Sequence, residues 1–121
     1  MLPTIPGIDV VEAARRRGPD GTGALLVDVR EPREFEEVRA EDVALLPMSS
    51  LPQRLADLPA DRELLFICRS GARSGQVTAY LRAQGREDVW NVNGGMLAWE
   101  RAGLPVRTGP PDPAEGELPK P

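Results

Sequence analysis

The only cysteine of this 121-residue chain, Cys68, stands where two very different stretches meet. Before it runs Leu64-Leu65-Phe66-Ile67, an unbroken apolar segment of the kind that forms a strand buried on both faces of a parallel sheet. After it runs Arg69-Ser70-Gly71-Ala72-Arg73-Ser74, polar and centred on a glycine, which can turn sharply and open a helix from Arg73 or Ser74. Ligands of open parallel sheets bind beyond the carboxyl ends of the strands, and there the sequence puts its thiol. A loop curled around the sulfur would point successive backbone N–H groups inward as an anion-binding nest, backed by the N-terminus of the next helix. Arg69 and Arg73 would add charge at its rim. Such surroundings lower a thiol from about 8.5 into the range of roughly 3.5 to 7.5 found for activated cysteines. A helix terminus contributes only about 0.3 to 1 kcal/mol against about 1.4 for each pKa unit, so larger shifts must come from the amides and arginines.

A lone cysteine at the end of an apolar strand is ordinarily a buried small hydrophobe. The loop after Cys68 changes that reading, because Ser, Gly and Arg add nothing to a core. Ser70 and Ser74 are hydroxyl donors for a bound oxyanion and equally good turn or cap residues. Gly71 supplies a backbone conformation that a side chain would hinder. With no histidine in the chain, Cys-His and Ser-His-Asp hydrolases are excluded, as is a zinc site of the usual Cys/His kind, and one cysteine forms no internal disulfide. No metal or cofactor is expected. Net charge is −4 with no basic stripe, which argues against nucleic acid as a partner. No signal-peptide pattern or membrane-length apolar run is present, so the expected location is the cytoplasm, without membrane attachment.

The elements that must position the loop follow in order. Asp9 and Glu12 form a capping box for a helix through about Arg17, whose Arg15-Arg16-Arg17 block complements the helix dipole. Residues 18–23 are a turn-rich connection, 24–29 a second buried strand, and 33–38 a short helix entered through Pro32. Residues 43–46 are a short apolar strand, and Leu51, Leu55 and Leu58 at helical spacing predict a helix over 51–58. The helix after the cysteine loop runs from 73 to 84 and stops at Gly85. A strand at 89–92, a turn at Gly94-Gly95 and a helix over 96–101 complete the domain, residues 1–107. Strands alternating with helices predict an α/β fold, a parallel sheet with helices on both faces. Residues 108–121 hold five prolines and only Leu118 as a large apolar residue, so an extended or mobile tail is expected. Trp90 and Trp99 read as core or rim packing.

Taken together, CRSGARS (68–74), DVREPREF (28–35) and NGGMLAWERAGLPV (93–106) resemble three motifs of the rhodanese-like sulfurtransferases, in the family's order and across residues 5–107. The resemblance implies a compact fold with a five-stranded, mainly parallel sheet, and a persulfide intermediate on Cys68. It implies that Arg69, Ser70, Gly71, Ala72, Arg73 and Ser74 cradle the reacting sulfur, and that Asp28 and Arg30 brace the loops through buried hydrogen bonds rather than touch substrate. The donor would be thiosulfate or another small sulfur donor such as a persulfide. The acceptor would be cyanide or an external thiol, such as one on a thioredoxin-like protein. The chain departs from the family over residues 38–43, VRAEDV, where many members carry a Gly-His-Ile-Pro-Gly-Ala segment. Cysteine phosphatases and arsenate reductases use a similar cradle, but their loop is one residue longer than the four between Cys68 and Arg73, and arsenate reduction needs more cysteines. A non-catalytic module of the same fold and a redox-sensing thiol remain as alternatives.

Overall fold

The structure is a computed structural model, and it describes residues 4–18 and 23–120. Most of the connection expected over residues 18–23 therefore lies outside the described residues. Strands β1 (Gly7–Ile8), β2 (Leu25–Asp28), β4 (Ala44–Leu45), β5 (Leu64–Ile67) and β6 (Val89–Val92) form one parallel sheet in the order β1-β6-β5-β2-β4. Two further strands, β3 (Arg39–Ala40) and β7 (Val106–Arg107), pair antiparallel beside it. The helices are α1 (Val10–Arg16), α2 (Pro32–Glu37), α3 (Leu51–Arg54), α4 (Ala72–Ala83) and α5 (Gly95–Arg101).

The central strand β5 is buried at every position, which is why it reads as a continuous apolar run rather than an alternating one. Its side chains still alternate between faces. Leu64, Phe66 and Cys68 enter a core with Val77 and Leu81 of α4 and with Leu51 of α3. Leu65 and Ile67 enter the opposite core, with Ala13 of α1, Phe35 of α2 and Met96 and Trp99 of α5. Helices thus cover both faces, and the period of two along β5 aims Cys68 toward α4. Trp99 is fully buried and donates its indole N–H to Pro105 O at 2.9 Å. Trp90 lies at the rim between the guanidinium groups of Arg16 and Arg82, 5.4 and 4.8 Å from its ring centre.

Several elements differ from expectation. The helix over 51–58 is one α-helical turn, α3, between the 3-10 turns Met48–Ser50 and Leu55–Asp57. Pro52 sits in the first turn of α3, where a missing N–H costs no hydrogen bond, and Pro59 just beyond bars the segment from continuing as helix. The basic block at the end of α1 is internally engaged. Arg15 and Arg16 both bond Glu12, while Arg17 lies 5.1 Å from the Trp99 ring centre and bonds Glu41 O.

The tail, where an extended or mobile terminus is expected, packs against the domain in this structure. Arg39 on β3 is 1% exposed, and its guanidinium reaches the Glu115 carboxylate, with Nη2 to Oε1 at 3.1 Å, and Gly109 O at 2.7 Å. Leu45 on the edge strand β4 donates its N–H to Gly116 O at 2.6 Å, and Leu118 packs against the α4-side core. A buried guanidinium and an open strand edge supply the fixed partners that proline-rich composition does not reveal. Among the described residues no helix is long and apolar enough to cross a membrane, and no cluster of three potential metal ligands occurs.

Candidate active site

Parallel register brings the site together. Ile67, the last residue of β5, pairs with Asp28 of β2, and Phe66 pairs with Asn91 of β6. Cys68 follows one step beyond, with Asp28 on one flank and Asn91 on the other. Its loop turns through Gly71, where φ is +102°, a left-handed conformation that costs a glycine nothing. A Cβ there would also sit 3.2 Å from Gly94 N. Gly71 caps α4, so the helix starts within the loop itself.

The loop is fastened from behind by α5. Met96 N donates to Cys68 O at 2.8 Å and Leu97 N to Arg69 O at 3.1 Å. Gly95 leaves room for this approach, since a Cβ on it would lie 2.4 Å from Cys68 O. With these carbonyls turned toward α5, the N–H groups of the loop turn toward the sulfur. Gly71 N lies 3.1 Å from Cys68 Sγ and the Ser74 hydroxyl 3.3 Å from it. Burial pushes the Cys68 thiol up, while the Ser74 hydroxyl, when its proton faces the sulfur, and the N–H groups of Ser74, Gly71 and Ser70 pull it down, and the net direction is then downward. Cys68 is 1% exposed, so its sulfur does not stand in solvent.

The remaining loop residues divide by position. Arg69, Ser70 and Ala72 are exposed, and Arg69 forms no ion pair among the described residues. Arg73, expected to add charge at the rim, is engaged by a carboxylate. Its Nη1 and Nη2 donate to Glu34 Oε1 and Oε2 at 2.7 and 2.9 Å, a two-pronged tie between α4 and α2. That guanidinium, opposed by partial burial, holds the Glu34 carboxyl down at about 2. The pair's contribution to stability is complete above the ordinary carboxylate range and is lost as pH falls from there toward 2. Ser74 is fully buried, and its hydroxyl also lies 2.6 Å from Asn91 Oδ1.

Asp28 and Arg30 lie beneath the loop. Asp28 is fully buried and accepts from Arg30 Nη2 at 2.7 Å, Nε at 3.0 Å and the backbone N at 2.9 Å. Arg30 continues to Glu34 O and Val38 O at 3.3 and 2.6 Å, which pins α2 and with it the carboxylate that holds Arg73. Glu34 and Asn91 escape a reading of the sequence. For Asn91 a signal exists, an amide inside the apolar strand Val89-Trp90-Asn91-Val92. For Glu34 none exists, because its partner is 39 residues away.

Comparison with known proteins places this arrangement. The sequence profile of the rhodanese-like domain matches residues 10–102, and the chain belongs to that family. A protein named sulfurtransferase from Allochromatium vinosum is 44% identical over 95 residues, 78% of this chain and 89% of the relative. The thiosulfate sulfurtransferase GlpE of Vibrio cholerae is 37% identical over 83 residues, 69% of this chain and 78% of that protein. The crystal structure of a rhodanese-like domain protein from Staphylococcus aureus superposes with a TM-score of 0.70 at 30% identity, covering 85% of this chain and 99% of that one.

Proposed function

We propose that this protein is a sulfurtransferase that carries a sulfane sulfur on Cys68 as a persulfide. The observation that carries the reading is the sulfur itself, at the carboxyl end of β5, with Gly71 N–H at 3.1 Å and a downward-shifted thiol in a histidine-free site. In the first half-reaction the Cys68 thiolate attacks the outer sulfur of thiosulfate. The S–S bond of the donor breaks, sulfite leaves with the bonding pair, and Cys68 is left as an anionic persulfide. In the second, an external nucleophile attacks the outer sulfur and restores the thiolate. Cyanide gives thiocyanate and a thiolate gives a new persulfide, with no net redox change in either case. Loop N–H groups stabilise the sulfur anion at each stage, as an oxyanion hole does for oxygen. The reading is supported by relatives that bear the name sulfurtransferase. Expected substrates are thiosulfate or a small persulfide as donor and cyanide or an external thiol, including one on a thioredoxin-like protein, as acceptor. No second thiol in the chain can serve as acceptor.

Incubation with thiosulfate followed by intact-mass measurement tests this. The native chain is expected to gain the mass of one sulfur atom, reversibly with cyanide, and Cys68→Ser to gain none. An unchanged mass together with no released sulfite would overturn the proposal. A second comparison examines the cradle. Arg73→Ala, which cuts the tie to Glu34, should slow transfer by about tenfold or more, a barrier change of about 1.4 kcal/mol. Arg15→Ala, on the exposed end of α1, should leave the rate nearly unchanged. Equal effects would mean that Arg73 does not shape the loop.

A further inference from the structure

Ser74 Oγ lies 2.6 Å from Asn91 Oδ1 and 3.3 Å from Cys68 Sγ, and a serine hydroxyl has one proton for both. Which way the Asn91 amide faces decides where that proton goes. Gly71 O lies 3.2 Å from Asn91 Nδ2, and a carbonyl oxygen can only accept, so the atom facing it must be the amide NH2. The same nitrogen lies 3.3 Å from Asn93 Oδ1. The other end of the amide, Oδ1, therefore faces Ser74 as a pure acceptor. At 2.6 Å it is the closer of the two claimants and takes the hydroxyl proton. What Ser74 then turns toward the sulfur is a lone pair, which suits the proton of a thiol and opposes a thiolate.

From this geometry we infer that Asn91 is a positioning residue that restrains Cys68, holding the Ser74 proton away from the sulfur and favouring the thiol until the hydroxyl turns. Asn91 does not touch the sulfur; it acts through Ser74. The same side chain holds Gly71 O, and so it fixes both the carbonyl at the cap of α4 and the hydroxyl one turn along. The inference rests on Cys68 being the reactive group of the proposed function, but its test uses no sulfur donor. It can therefore fail while sulfur transfer stands, and hold if transfer is disproved.

The test is the pH dependence of iodoacetamide alkylation of Cys68. Asn91→Leu keeps nearly the same shape and removes the acceptor, so the hydroxyl is free to donate to sulfur. The apparent pKa is expected to fall by about one unit, tenfold in thiolate at pH values below it. In the Ser74→Ala background the same substitution should have almost no effect. An Asn91→Leu chain whose thiol is unchanged or shifted upward would overturn the inference, as would a fall that survives without the Ser74 hydroxyl. If Asn91→Leu does not fold, Asn91→Asp serves, since a carboxylate holds the hydroxyl more firmly. The pKa should then rise, and rise more with Ser74 present than in Ser74→Ala. An equal rise in both backgrounds would reduce Asn91 to a bystander whose substitution merely adds charge.

Discussion

Asp28→Ala is expected to destabilise the protein by about 3 to 5 kcal/mol, the usual cost of leaving one partner of a buried ion pair without the other. Total stabilities are commonly about 5 to 15 kcal/mol, so this single change removes about a fifth or more of what holds a typical domain together. The cost is high because Arg30 is only 3% exposed and has no route to water once its carboxylate is gone. Its remaining acceptors, Glu34 O and Val38 O, are carbonyls that neutralise no charge. A urea titration measures the effect as a lower midpoint at unchanged slope. The double variant Asp28→Leu with Arg30→Met should recover part of the loss, because two apolar side chains leave no buried charge. A loss below about 1 kcal/mol for Asp28→Ala would mean that water reaches Arg30 after all.

Removal of residues 108–121 is expected to have an effect of similar size, although it takes away a stretch poor in apolar residues. Arg39 would lose Glu115 and Gly109 O and keep only Phe35 O, at 3.2 Å, and the Phe35 ring, 5.2 Å from the guanidinium carbon. Leu45 N would lose Gly116 O, and the edge of β4 would be bare. A guanidinium that stays shielded after the deletion costs about 3 to 5 kcal/mol, a figure that falls toward about 1 as water reaches it, and the orphaned amide costs about 1 to 3 more where solvent does not reach it. The cause can be separated from simple loss of contacts by making the deletion in an Arg39→Met chain. There the deletion should cost much less, since no charge is stranded. Equal losses in both backgrounds, read from thermal or urea unfolding, would show that Arg39 is not what ties the tail down.

The second of these sites marks where the sequence stops being informative, whereas Asp28 and Arg30 lie in a motif that the sequence resemblance already singles out. Strands β2 and β5 are legible because strands buried on both faces need apolar residues throughout, and the end of α4 is legible because Gly85 takes φ +99° there. Strand β1 is two residues long and is placed by pairing with β6 and by Ile8 packing on the core, so no periodicity announces it. Residues 38–43, where the family's glycines are absent, form β3 and a turn with Asp42 at φ +55°. The motifs point to Cys68 and its loop, because backbone chemistry follows sequence locally. Glu34, Asn91 and Arg39 are hidden because each owes its role to a partner that only the folded chain brings near.

The clamp between α5 and the cysteine loop carries a consequence for the order of events in the life of the chain. The carbonyls of Cys68 and Arg69 are turned by amides of Met96 and Leu97, which are made later in synthesis. Until that later segment docks, the carbonyls of Cys68 and Arg69 lack these partners, and the loop amides are held around the sulfur less firmly, by Gly75 N and Asn91 Nδ2 on Gly71 O. The full anion cradle around the Cys68 sulfur is complete only in the native state. On the proposed function, an emerging polypeptide would thereby be spared premature sulfur chemistry.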